Sequence, residues 1–214
     1  VLSMKEPSQP PDCGADLCAD DPYEAFIKAK IVTAPERGFT LTADDISPQL
    51  FPHQRDVVLW ALRLGRAAIF AAFGLGKSLM QLELAKQVCR LTGGRFLIVC
   101  PLGVRQEFMR DAQVIGLPVR FVRRLDECDA TGVYLCNYET VRDGKLDPRA
   151  FDGASLDEAS CLRGFGGTKT FREFMAVFAG DDQRDIDNHV TGESVRYRFV
   201  ATATPSPNDY IELL

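Results

Sequence analysis

Residues 66–85 read R-A-A-I-F-A-A-F-G-L-G-K-S-L-M-Q-L-E-L-A. The apolar run from Ala67 to Phe73 suits a buried strand, Gly74 and Gly76 interrupt it, and Leu79, Leu82 and Ala85 return at helical spacing. Strand, glycine loop and helix in that order make an anion site. Glycines let the backbone approach closely, and the unpaired N–H groups at the start of the helix point at the anion. Lys77 adds a positive charge for the outer phosphates and the Ser78 hydroxyl suits Mg²⁺. Gly74, Leu75, Gly76, Lys77 and Ser78 are therefore the expected cradle of a nucleoside triphosphate. A tight turn with a surface lysine is the plain alternative.

On the N-terminal side, Leu50 to Leu64 (L-F-P-H-Q-R-D-V-V-L-W-A-L-R-L) reads as a helix with Pro52 near its start and an apolar face of Val57, Val58, Trp60, Ala61 and Leu64. Gln54 stands out within it, because an amide both donates and accepts, as recognition of adenine requires. His53 is read as structural. Residues 1–21, with Pro7, Pro10, Pro11, Gly14 and several aspartates, have the composition of an irregular leader, and Val1-Leu2-Ser3 is set aside from fold reasoning. A short helix is expected from Tyr23 to Lys30, and 22–214 is expected to form the single main domain.

On the C-terminal side, Arg95–Cys100 reads as a second buried strand followed by a helix entered at Pro101, and Leu117–Val122 and Gly132–Asn137 as further strands. Phe151–Ser160 (F-D-G-A-S-L-D-E-A-S) is a short strand that ends in Asp157-Glu158. Two adjacent carboxylates at a strand's C-terminal end can divide labour, Asp157 toward Mg²⁺ and Glu158 toward water. Phe171, Phe174 and Phe178 recur at helical spacing and are read as core, while 181–193 is polar and leaves His189 as an exposed loop residue. Tyr197–Ala201 is the last strand, running into T-A-T-P at 202–205. Strands alternating with helices imply an α/β domain with a mostly parallel central sheet flanked by helices.

Composition bounds the function. The 214 residues are 46% hydrophobic with a formal charge of −5 and a sequence pI of about 5.1, which argues against a dominant basic surface for nucleic acid but leaves room for a limited groove. Basic clusters stand at Arg105 with Arg110 and at Arg120, Arg123 and Arg124. No apolar run approaches the ~18 residues of a membrane span, and the N-terminus lacks a signal-peptide pattern, so a cytoplasmic protein is expected. Seven cysteines without a C-x-x-C pair fit reduced thiols; Cys13 and Cys18 make a poor zinc site.

Taken as A-x-x-G-x-G-K-S, Ala71 to Ser78 resembles motif I of superfamily 2 helicases and translocases, which tolerate alanine where the general phosphate-loop pattern has glycine. Gln54 matches the family's Q motif, the turn after Cys100 is similar to motif Ia, and D-E-A-S at 157–160 resembles motif II, although Ser160 departs from the common D-E-A-D and D-E-x-H endings. Tyr138-Glu139-Thr140 looks like the Y-E-T of Snf-type remodellers, Thr202-Ala203-Thr204 resembles motif III, and P-x-x-N-D-Y-x-E-L after it is similar to the continuation in phage and bacterial Snf-type helicases.

The resemblance spans residues 50–214 and implies a RecA-like lobe that binds ATP and Mg²⁺. Gln54 would read adenine; Gly74, Leu75, Gly76 and Lys77 would hold phosphates; Ser78 and Asp157 would position Mg²⁺. Glu158 would activate water, Lys77 would act with it in catalysis, and Thr202 and Thr204 would couple the nucleotide state to nucleic acid, DNA before RNA. The family also uses a second RecA-like lobe, expected to lie outside this chain and to leave hydrolysis by the chain alone weak. The setting implied is a bacterial or phage-infected cytoplasm. Two other readings stay open: a stand-alone nucleotide-binding switch or adaptor, and a P-loop small-molecule kinase, against which the T-A-T-P ending argues.

Overall fold

The computed structural model describes residues 35–159, 174, 178 and 194–204. The elements all lie in the compact unit Pro35–Leu214. The expected leader and Tyr23–Lys30 helix, Cys13, Cys18 and the 181–193 loop with His189 fall outside the described residues.

Among the described residues six strands form one parallel sheet: β1 (Arg66–Phe70), β2 (Arg95–Val99), β3 (Val119–Phe121), β4 (Gly132–Cys136), β5 (Gly153–Asp157) and β6 (Tyr197–Thr202), in the spatial order β1-β6-β5-β2-β4-β3. Helix α1 (Pro52–Leu64) precedes β1, and among the described residues α2 (Lys77–Thr92), α3 (Arg105–Val114) and α4 (Tyr138–Arg142) lie between successive strands. Helix α3 starts at Arg105, after a 3₁₀ turn over Leu102–Val104, rather than at Pro101.

The central strands are apolar on both faces because both faces are covered. Along β2, Phe96 and Ile98 enter a cluster with α1, α2 and α3 residues such as Leu62, Leu84 and Phe108, while Leu97 and Val99 enter a second cluster with Tyr134, Tyr138 and Phe151. Phe174 and Phe178 have helical backbone, stack at 5.9 Å between ring centroids and belong to the second cluster, as their spacing suggests. Gly153 is required at the start of β5, since a Cβ there would stand 2.6 Å from two ring carbons of Phe96.

One expectation about the decisive stretch is corrected. Strand β1 stops at Phe70 and lies at the edge of the described sheet, with Ala68 and Phe70 exposed. An apolar run reports hydrophobicity, not the number of neighbouring strands. The chain still touches the sheet once more, the Ala71 N–H donating to the Thr202 carbonyl at 3.2 Å, before it turns into the glycine loop.

Candidate active site

Parallel pairing brings the decisive residues together. Phe70 is in register with Thr202 and Asp157 with Ala201, so the C-terminal ends of β1, β6 and β5 deliver the glycine loop, Thr202 and the 157–158 carboxylates side by side. This is the end of a parallel sheet where ligands bind.

Gly76 is the N-cap of α2 and has φ +74, a left-handed conformation. A Cβ at this position would lie 2.3 Å from Gln54 Nε2, so glycine is needed for backbone shape and for room. Gln54 is buried and bonded at both ends of its amide: its Oε1 accepts from the Phe51 N–H at 2.9 Å and its Nε2 donates to the Leu75 carbonyl at 3.0 Å. Gln54 and the loop are thus one hydrogen-bonded unit. The Met80 N–H makes the first helical bond, to the Gly76 carbonyl at 3.1 Å, and the donors ahead of it have no partner within the helix. Lys77 Nζ donates to the Ala71 and Ala72 carbonyls at 3.0 and 3.3 Å and sits 5.1 Å over the Phe73 ring. Gly74 lies exposed in the loop with φ +82, and Ser78 is the half-buried second residue of α2.

Asp157 is held from two directions. Its Oδ1 accepts from Gln81 Nε2 at 2.8 Å, and its backbone carbonyl accepts from the Tyr138 hydroxyl at 2.6 Å. Burial pushes its pKa above the usual aspartate value; the Gln81 bond opposes this, the Glu158 charge adds to it, and Lys77 draws it back down. Glu158 has φ +53, a left-handed conformation uncommon for a residue other than glycine. Its Oε1 accepts from the Thr202 hydroxyl at 3.0 Å, and that hydroxyl in turn accepts from the Thr204 N–H at 3.1 Å. Thr204 joins through its backbone.

The residues fit the groups the sequence implies. Ser78 and Asp157 offer hard oxygen donors, suited to Mg²⁺ that takes few protein ligands and bridges to phosphates. Among the described residues no cluster of three His, Cys, Asp or Glu side chains forms a closed metal cage. Ser160, the Gly-rich segment after it and P-x-x-N-D-Y-x-E-L lie outside the described residues. The basic clusters are less free than their sequence suggests: Arg105 stacks 4.4 Å over Phe121, Arg120 pairs with Asp129 at 2.5 Å, and Arg124 pairs with Asp126 at 3.1 Å. Sequence reasoning missed Gln81 and Ser155; the one local signal was a glutamine four residues after Lys77, hence on the same face of α2.

Among solved structures, the chain resembles the Sulfolobus solfataricus SWI2/SNF2 ATPase core in complex with dsDNA at TM-score 0.62 and 19% identity, over 82% of this chain and 36% of that one. The UvsW helicase of bacteriophage T4 matches at TM-score 0.56 and 17% identity, over 77% of this chain and 56% of that one. The fold is RecA-like, shared with these ATPase-core and helicase structures. A second structure of the Sulfolobus core domain matches this lobe at TM-score 0.55 and 18% identity, over 80% of the chain and 36% of its counterpart. The chain therefore spans between about a third and just over half of the chains it resembles. No protein-family model and no curated protein matches the sequence. Among the described residues no helix is long and apolar enough to cross a membrane.

Proposed function

We propose that this chain is the ATP-binding lobe of a nucleic-acid-dependent ATPase of the helicase and translocase type. The observation that carries the proposal is the convergence of the Gln54-braced glycine loop, Lys77, Asp157, Glu158 and Thr202 at the C-terminal ends of β1, β5 and β6.

Each group has a task its chemistry allows. Lys77 and the free N–H groups at the start of α2 would hold the phosphates of ATP, and Gln54, once its amide turns outward, would read the adenine edge. Mg²⁺, held through Ser78 and Asp157, would neutralise charge on the outer phosphates. Glu158 would orient and polarise the attacking water, with its carboxylate aimed by Thr202. Because Thr202 and Thr204 share one hydrogen-bond chain with Glu158, a change in the nucleotide would reach the segment following β6. That segment is proposed to couple to nucleic acid.

DNA is the preferred partner in this proposal, supported by the dsDNA bound to the Sulfolobus core it resembles. Full activity is proposed to need a second RecA-like lobe that supplies an arginine finger, which in other P-loop enzymes accounts for about 10³ to 10⁵ in kcat. The test is ATP hydrolysis with and without duplex DNA, on the chain alone and joined to a second lobe. Stimulation by DNA supports the motor reading. ATP binding that never responds to nucleic acid supports a nucleotide switch instead.

A further inference from the structure

Helix α2 buries a glutamine where an apolar residue would pack at less cost. Gln81 has no exposed surface and lies between Met80 and Leu82, both core residues. Burying an amide is tolerable only when both of its ends are bonded. Both are: Ser155 Oγ donates to Gln81 Oε1 at 2.6 Å, and Gln81 Nε2 donates to Asp157 Oδ1 at 2.8 Å.

Ser155 and Asp157 are two residues apart on β5, so they face the same side of the sheet, toward α2. We propose that Gln81 is a positioning residue that orients the Asp157 carboxylate for Mg²⁺ and ATP, and that Ser155 fixes the sense of its amide. The inference rests on the ATPase reading above. A carboxylate only accepts hydrogen bonds, so the amide must present its N–H₂ to Asp157. The Ser155 proton on Oε1 stabilises that sense, whereas a reversed amide would set oxygen against oxygen. Gln81 is also one helical turn beyond Lys77, so a single rigid helix carries both the phosphate-binding lysine and the brace of the carboxylate. Loss of an outer partner of this kind typically costs about 10- to 100-fold in metal affinity.

The experiment measures binding of a fluorescent ATP analogue in excess Mg²⁺ and in EDTA, for wild type, Gln81→Met, Ser155→Ala and the double variant. Methionine keeps the volume and removes both bonds. Affinity in EDTA is expected to stay within about 2-fold of wild type throughout, while the gain given by Mg²⁺ falls about 10-fold in Gln81→Met and about 3-fold in Ser155→Ala. The double variant is expected to be no worse than Gln81→Met, because Ser155 acts only through the amide. Equal losses with and without Mg²⁺ would mean that the network merely ties α2 to β5, and the proposal would fail. An unchanged Mg²⁺ gain in Gln81→Met would overturn it as well. If Gln81→Met does not fold, Ser155→Ala decides, since it deletes a single oxygen and a full Mg²⁺ gain there also overturns the proposal. Wild type that binds no ATP in either solution would reject the ATPase reading beneath it.

Discussion

In the proposed role Asp157 carries two opposed demands, since burial favours its neutral form and holding Mg²⁺ would require the charged one. With its pKa raised above 3.8, the neutral acid persists to higher pH than in a free aspartate. Mg²⁺-dependent ATP binding is therefore expected to weaken on acidification before the ordinary carboxylate range is reached, which a binding titration in Mg²⁺ against pH will show. The same shift sets a sign for stability. A raised pKa in the folded state contributes stability below the ordinary aspartate value, and that contribution is lost as pH rises through the folded pKa. At neutral pH the ionised group opposes folding, so Asp157→Asn, which keeps an acceptor for Gln81, is expected to raise Tm while losing the Mg²⁺ gain. Gln54, Lys77, Asp157 and Glu158 were legible in the sequence because each sits in a short local pattern of strand, loop or helix start. Gln81 was not, because its partners are 74 and 76 residues away and nothing local marks an amide as buried.

Helix α2 has the same property along its length. Leu79, Leu82 and Ala85 announce a helix, yet Glu83 and Gln87 are as buried as the leucines. Glu83 accepts from the Ser47 hydroxyl at 2.5 Å, the Ser47 N–H at 3.2 Å and Gln87 Nε2 at 2.6 Å, with Lys86 at 3.8 Å. This ties the segment preceding α1 to α2 and so steadies the approach to Gln54. Glu83→Ala would remove the acceptor of both the Ser47 N–H and the Ser47 hydroxyl and leave Gln87 Nε2 with the Asp45 carbonyl alone, and a loss of about 3 kcal/mol is expected in urea unfolding. A change below about 0.5 kcal/mol, the usual range for surface substitutions, would contradict the role. The edge position of β1 was illegible for a related reason: five residues encode a strand, but strand order depends on crossovers tens of residues long.

At the scale of the molecule, the parallel sheet was legible from strands alternating with helices, while its order β1-β6-β5-β2-β4-β3 was not. Its middle is dry. Burial pushes the Cys100 thiol, just past the end of β2, up to about 12 and raises its neighbour Cys136 on β4 well above the ordinary thiol value. Alkylation of Cys100 and Cys136 at pH 8, mapped by mass spectrometry, is expected to follow global unfolding; rapid labelling of the folded chain would show the sheet opening locally. The chain alone is expected to turn over ATP below about 1 s⁻¹, under the range of typical enzymes. The most direct test of the nucleotide site is binding of fluorescent ATP in Mg²⁺ by wild type and by Lys77→Ala. Saturable binding by wild type that weakens at least about 10-fold in the variant, or ~1.4 kcal/mol, is the expected result. Equal binding by the two proteins would place the nucleotide elsewhere, and no binding by either would leave the lobe a fold without the activity.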